Sequence, residues 1–355
     1  MNENHPREVL PISPEWSIPQ VAEALFRALS GAGPALAFAP IGTTTVTPDI
    51  AVIIPTSGST GAPKEVALSA AALISSARAS HKFLGAQSGD RWSLLLPINH
   101  IAGVNVLVRA LELGVQPVGI VDEADFTAIV PTQLQRALTG DEKLLTHLKN
   151  CKAVLVGGAA TAEQLIIDAK AAGLNIVTTY GMSEMSGGCI YNHTPLHGVD
   201  VRISDSGNIQ LKGPMMAESY LNNLELWTAL TSDGWFTTSD LGELVDGKLF
   251  VLGRTDDQII SGGEKISLGA IENLLHAEFV EQGFIAFGVP DLEWGTKLVI
   301  ASNTQIDIEA VRSITRAQFG AHAVPKDFIT LENLPLTTLG KPDRLATREI
   351  YLAHE

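Results

Sequence analysis

The sequence predicts an α/β protein: a large part built on parallel sheet, a smaller antiparallel barrel or sheet after it, and a compact α+β unit of about 100 residues at the C-terminal end. Three observations carry this prediction. An apolar run at Ala153–Val156, a helical segment over 161–172 stopped by Gly173, and a second apolar run over 175–179 repeat as strand, helix, strand, the pitch of a parallel βαβ unit. Alternating runs over 199–203 and Asn208–Lys212, and again over 241–245 and 248–252, flank the turns SDSG and Asp246-Gly247, which are hairpin signals. Beyond Gly253 the charged stretch RTDDQIISGGEK reads as a flexible connection. It leads into a helix (Leu268–Glu278), two strands, a second helix near 307–319 and a short tail.

Taken in order, residues 1–50 are weakly patterned. The apolar AVIIP at 51–55 reads as a strand that leads through a Ser/Thr/Gly loop to a helix capped by Ser69 and stopped at Gly85. The expected domain boundary lies near Asp256, which gives a domain over 1–255 and a second over 256–355.

Composition narrows the function classes. In 355 residues, 45% are hydrophobic and 18% charged, so the chain can bury substantial cores and is not disordered. The net charge of −15 repels nucleic acid and anionic lipid, and neither is expected as a partner. A phosphate-bearing ligand must then be met by a few local Lys, Arg and backbone N–H groups. The cysteines, Cys151 and Cys189, are too few for a disulfide framework and lack metal-site spacing, which points to a reducing compartment. With no signal-like N-terminus and no apolar run long enough for a transmembrane segment, a cytoplasmic protein is expected. His193 and His197 are four apart, but Pro195 between them argues against a helical zinc pair. Whether the chain works alone or as a homo-oligomer stays open.

The sharpest local signal is T-S-G-S-T-G-A-P-K, placed directly after the apolar strand. Thr56, Ser57, Gly58, Ser59, Thr60 and Gly61 let backbone N–H groups approach an anion, and Lys64 adds a point charge. The spacing excludes a Walker A loop, because Gly58 and Gly61 are too close and Glu65 follows Lys64. No serine stands in G-x-S-x-G or three before a lysine, so those nucleophile motifs are absent. Alone, the loop could equally be a Ser/Gly-rich surface turn.

It is followed in order by P-I-N-H-I-A-G, V-G-G-A, Y-G-M-S-E, G-N-I-Q-L-K-G-P, T-S-D, G-R-T-D-D-Q-I-I-S-G-G-E-K-I and P-L-T-T-L-G-K. This series resembles the core motifs of the acyl-adenylate-forming superfamily, across residues 51 to 345. Within it, the segments LLPINHIAGVNVLVRAL, VPTQLQRAL, AVLVGGAA and TYGMSEMSGGCIYNHTPL are similar to o-succinylbenzoate–CoA ligases of menaquinone biosynthesis, in their short actinobacterial form.

The resemblance implies a fold of parallel α/β sheets and a small β-barrel, with a small mobile C-terminal domain. It also implies a two-step reaction. A carboxylate and ATP give an acyl-adenylate and pyrophosphate, then coenzyme A displaces AMP, with Mg²⁺ as cofactor. Lys341, His100 and Glu184 match the catalytic positions, Glu184 as the Mg²⁺ ligand and His100 at the acyl-pocket entrance. Gly157, Gly158, Ala159, Tyr180, Gly181, Met182, Ser183, Asp240 and Arg254 match the AMP site, with Asp240 on the ribose hydroxyls. Asp256 matches the hinge, and Gly262 and Gly263 the loop along the pantetheine tunnel. Lys341 stands 14 residues before the chain's end, which favours free coenzyme A over a tethered thiol. Ser239 and Glu65 depart from the family pattern, where Gly is usual at both places. The alternatives are a CoA ligase for another aryl or fatty acid and a catalytically silent AMP-binding protein.

Overall fold

A computed structural model of the protein describes residues 6–56, 63–279, 282–336 and 342–354. The chain divides into two compact units. One holds Met1–Thr161, Ile167–Thr238 and Leu244–Phe250; the other holds Ala162–Ile166, Ser239–Glu243 and Val251–Glu355.

The first unit carries two six-stranded sheets. The strands of the first run in the spatial order Ser219–Tyr220, Lys64–Ser69, Ile50–Thr56, Ala35–Ala37, Arg7–Pro11, Thr45–Val46. Those of the second run Thr194–Pro195, Gly187–Tyr191, Ile176–Met182, Ala153–Val156, Phe126–Ile129, Trp92–Ser93. The parallel pairing expected from the sequence holds in the interior of the first sheet and among the last four strands of the second. The remaining pairs are antiparallel, so both sheets are mixed. The βαβ unit is present: Val156 lies opposite Thr178, and the helix Glu163–Ala171 connects the two strands.

One expected connection is corrected. Between the Ser/Thr/Gly loop and its helix lies another strand, Lys64–Ser69, antiparallel to Ile50–Thr56, so the loop closes a strand pair rather than joining strand to helix. Val66, Ala67 and Leu68 are fully buried, and so short an apolar run has no period that separates strand from helix. The helix Ala70–Leu84 then begins where its cap predicted: Ser69 Oγ accepts from Ala72 N at 3.1 Å, and Gly85 closes it at φ 67°. Leu25, Leu73 and Val104, from helices Ile18–Leu29, Ala70–Leu84 and Ile101–Glu112, share a core with Leu36, Val52 and Leu68 of the first sheet.

A third sheet follows, with Asp200–Ile203, Asn208–Lys212, Trp235–Val245 and Thr231–Ser232 in open order and Lys248–Arg254 paired to the long strand. Its hairpin turn has Asp246 and Gly247 at φ 51° and 75°, the two left-handed residues that a type I′ turn requires.

In the second unit the stretch expected to be flexible is a hairpin, Gln258–Ser261 against Glu264–Ser267. Helix Leu268–Glu278 and strands Phe284–Asp291 and Gly295–Ser302 fall as expected. The supposed short tail contains the strand Asp327–Thr330, parallel to Gly295–Ser302, and the helix Arg344–His354. Tyr351 anchors that helix: it is 4% exposed, its ring meets Phe287 edge-on at 5.6 Å, and its hydroxyl donates to Asp327 Oδ2 at 2.5 Å. Cys151 and Cys189 are buried free thiols, and burial pushes both up to about 12. No described helix is long and apolar enough to cross a membrane.

Candidate active site

Thr56 ends one strand and Lys64 begins the next, directly opposite in register, so the strand pair presents the two ends of the Thr56–Lys64 motif side by side. Ser57, Gly58, Ser59, Thr60 and Gly61 lie outside the described residues. The stem is braced from below. Asn222 donates to Pro63 O at 2.7 Å and accepts from Glu65 N at 2.9 Å. The carboxylate of Glu65, 8% exposed, accepts from Thr43 Oγ1 at 2.6 Å and Gly42 N at 3.2 Å. The departure from glycine at Glu65 therefore serves as an anchor for the strand behind Lys64.

Gly157–Ala159 and Tyr180–Ser183 lie at neighbouring carboxyl ends of the second sheet, since the strands Ala153–Val156 and Ile176–Met182 run parallel there. Carboxyl ends of parallel strands are where ligands bind in such sheets. Close packing dictates the glycines. A Cβ on Gly157 would stand 2.1 Å from Thr179 Oγ1, and one on Gly181 would stand 2.0 Å from Gly187 O. Gly158 has φ 85°. Tyr180 and Met182 are half-buried against a core that includes Trp92, Phe126 and Leu155 of the second sheet, while Ser183 is buried.

Glu184 sits in a single 3₁₀ turn, Ser183–Met185, directly after that strand. Its Oε1 accepts from the hydroxyl of Tyr220 at 2.5 Å, and its backbone carbonyl accepts from Ala217 N at 2.8 Å. Burial and the neighbouring Glu184 charge push the Tyr220 phenol well above its ordinary value, which keeps it a proton donor. Lys64 Nζ stands 5.1 Å from the centre of the Tyr220 ring.

His100 is the residue before helix Ile101–Glu112, and its carbonyl accepts from Gly103 N and Val104 N at 3.0 and 3.1 Å. Gly103 is forced: a Cβ there would lie 2.2 Å from Pro97 O. Two turns farther along the helix is a residue sequence reasoning missed. Arg109 is 3% exposed, donates to Tyr191 Oη at 3.0 Å, lies 5.0 Å from the Trp92 ring and leaves its Nε without a partner among the described residues. His81 belongs to the same buried cluster. Burial, and then the Arg109 charge, lower it to about 4. The available signal was Asn105 and Arg109 at i, i+4 in the otherwise apolar VNVLVRAL.

In the second unit Arg254 gathers three partners. It donates to Asp240 Oδ1 at 2.9 Å, to both oxygens of Asp256 at 2.7 Å and to Ser239 Oγ at 2.6 Å. The bonds it donates to Asp256 and the surrounding carboxylates raise its pKa. Burial opposes ionisation of Asp256, but the Arg254 bonds hold it below the usual carboxylate range. Ser239, the second departure from the family pattern, thus supplies an extra acceptor to the guanidinium. Gly262 and Gly263, at φ 59° and 86°, form the turn of the hairpin, and Gly262 N donates to Trp294 O at 2.9 Å. Lys341 lies outside the described residues. The chain on either side of it is fixed: Leu336 pairs with Pro342, Asp343 N donates to Pro335 O at 3.0 Å, and Arg344 bridges Asp257 at 3.0 Å and Glu272 at 2.6 Å.

Residues 38–221 match the family described as AMP-binding enzyme. A probable 2-succinylbenzoate–CoA ligase of Mycobacterium tuberculosis is 35% identical, over 91% of this chain and 93% of that protein. The 2-succinylbenzoate–CoA ligase of Listeria monocytogenes is 30% identical, over 84% of this chain and 70% of that protein. Among solved structures, the O-succinylbenzoate coenzyme A synthetase of Bacillus subtilis in complex with AMP superposes with a TM-score of 0.71 at 25% identity, covering 83% of this chain and 68% of that one. Similarity that covers nine-tenths of the chain is more than a shared fold, and the chain belongs to the AMP-binding enzyme family, with 2-succinylbenzoate–CoA ligases among its relatives.

Proposed function

We propose that the protein is an AMP-forming ligase that activates o-succinylbenzoate with ATP and passes the acyl group to coenzyme A, a step of menaquinone biosynthesis. The observation that carries this is the 35% identity to a probable 2-succinylbenzoate–CoA ligase over nearly all of both chains. The enzyme needs no nucleophile of its own, because the substrate carboxylate attacks the α-phosphate and the thiol of coenzyme A later displaces AMP. Its contribution is placement of groups and charge.

In this proposal residues Gly157–Ala159 and Tyr180–Ser183 take the adenine end of the nucleotide, Asp240 accepts from the ribose hydroxyls, and Arg254 holds Asp240 in place. The loop from Thr56 to Lys64 receives the phosphates. Lys341 neutralises charge that develops at the α-phosphate. His100 borders the acyl pocket, and Arg109, a buried cation with an unpartnered Nε on the helix that His100 heads, is suited to the far carboxylate of a dicarboxylic acid.

The donor set suits a magnesium ion. Mg²⁺ prefers one or two carboxylates together with phosphate oxygens and water. Glu184 supplies one carboxylate, and no cluster of three or more His, Cys, Asp or Glu able to hold a metal occurs among the described residues. When bound, the ion would offset phosphate charge.

The proposal divides the work between a domain over 1–255 that adenylates and one over 256–355 that carries Lys341 and turns about Asp256. The Gly262-Gly263 turn then lines the path of the pantetheine arm. The enzyme's place is the cytoplasm, in keeping with its two unpaired cysteines.

The test is pyrophosphate and AMP release across a panel of carboxylic acids. Turnover with o-succinylbenzoate above the other acids is expected; ADP and phosphate as products, or a better aryl or fatty acid, would overturn the assignment. Lys341→Ala should slow acyl-adenylate formation by on the order of 10²-fold while sparing thioester formation from supplied acyl-adenylate. Asp256→Pro should do the reverse, and equal loss of both steps in both variants refutes the division of labour.

A further inference from the structure

We propose that Tyr220 is a positioning residue that sets the Glu184 carboxylate and the Lys64 ammonium toward each other for a metal-bound triphosphate. The inference rests on the roles given above to Glu184 and Lys64.

Tyr220 is 1% exposed, and its ring packs edge-on against Trp227 at 5.1 Å. Phenylalanine would serve that packing equally well, so the hydroxyl needs a separate reason. A buried hydroxyl must find a partner, and this one donates to Glu184 Oε1 at 2.5 Å. One donated bond to one oxygen fixes the rotation of the carboxylate and leaves its other oxygen to a cation. The face of the same ring carries Lys64 Nζ at 5.1 Å. Lys64 and Glu184 lie 120 positions apart in the sequence, one at the start of a strand of the first sheet and the other in the turn after a strand of the second, yet one side chain touches both.

The backbone around Tyr220 makes the contact rigid. Ala217 N donates to the carbonyl of Glu184 itself at 2.8 Å, and Tyr220 pairs with Val66 in the strand that begins at Lys64. Leu221 N donates to Glu65 O at 2.9 Å, and Asn222 grips Pro63 and Glu65. Residues 217–222 thus form a brace from the turn of Glu184 to the stem of the phosphate loop. Tyr220 lies at its centre and acts through the two charged groups rather than on the substrate.

The test is Tyr220→Phe in the full chain, with Glu184→Gln beside it. Calorimetry measures binding of a non-hydrolysable ATP analogue across a magnesium series, electron paramagnetic resonance measures Mn²⁺ affinity in the same complex, and AMP is titrated without metal. Loss of a bond to a charged group predicts about tenfold weaker metal-dependent binding in Tyr220→Phe. AMP affinity should stay within about twofold, because AMP lacks the bridged phosphates. The double variant should bind no more weakly than Glu184→Gln alone, as expected when one residue acts through the other.

If Glu184→Gln leaves the metal dependence intact, the role of Glu184 fails and that of Tyr220 with it. If Glu184→Gln shifts it and Tyr220→Phe does not, the positioning role alone is overturned. Equal losses of AMP and analogue affinity in Tyr220→Phe would mean that the hydroxyl holds the fold instead, and would also overturn the proposal.

Discussion

The residues proposed for the nucleotide site in the first unit and those proposed in the second are held by different physics. At Gly157 and Gly181 position is set by exclusion: backbone and Thr179 come so near that no side chain fits. At Asp240, Arg254 and Asp256 position is set by attraction, through four charge-assisted bonds of 2.6 to 2.9 Å, one of them to Ser239, converging on one guanidinium that remains 45% exposed. Steric exclusion is insensitive to salt and pH and fails abruptly when an atom is added. An ion-paired cluster gives way gradually, because each bond is modest and water can replace it. A surface proposed to keep one shape for an adenine suits the first arrangement, and a cluster beside a proposed hinge suits the second.

The largest expected effect comes from breaking the exclusion. Gly181→Ala places a methyl 2.0 Å from Gly187 O and should destabilise the first unit by about 3 kcal/mol or more, with AMP binding lost; urea unfolding and AMP titration check this. Unchanged stability would mean that the strands separate easily at that point. Breaking the attraction should cost less. Asp240→Ala should weaken ATP and AMP alike by about 1 to 3 kcal/mol, since a ribose contact is made equally in ground and transition states, and calorimetry on the folded variant measures it.

A buried imidazole in the first unit gives a third comparison, this time by pH. Unfolded His81 takes up a proton near its ordinary value of 6.5, whereas the folded residue resists protonation until about 4. The unfolded state therefore binds more protons between these values, and stability falls as pH drops from 6.5 to 4. His81→Phe should flatten that slope by about 2 kcal/mol in urea unfolding at stepped pH. An unchanged slope would show that His81 is already charged beside Arg109. Smallest is Ser239→Gly, which removes one of the bonds to Arg254 and should reduce AMP affinity by about 0.5 to 1 kcal/mol, read by the same calorimetry. Tighter binding in that variant would mark Ser239 as a restraint that misdirects the guanidinium.

What could be read from the sequence divides along a similar line. The helix Ala70–Leu84 was legible at both ends because Ser69 and Gly85 act locally, and the hairpin at Asp246-Gly247 because its turn needs two left-handed residues. The motif series was legible as order along the chain. Strand Lys64–Ser69 was not, because its burial between two partners is a long-range fact that KEVALS does not encode by period. Tyr220 escaped for the same reason: nothing near SYLNN announces that its hydroxyl meets a carboxylate 36 positions earlier. The helix Arg344–His354 was missed because its stability comes from Tyr351 on the sheet and Arg344 on two acids, rather than from local pattern.

The two buried thiols have a bearing on the proposed use of coenzyme A. Burial holds Cys151 and Cys189 in the thiol form at neutral pH. For the proposed thiol substrate this means that neither buried sulfur is set up for exchange, which disfavours capping of the enzyme by oxidised coenzyme A as a mixed disulfide. The same silence makes the native chain a clean background for chemical labelling. A single cysteine introduced on the surface of either unit would be the one site that takes a maleimide dye, and a pair of such dyes would follow the proposed rotation without removal of any natural residue.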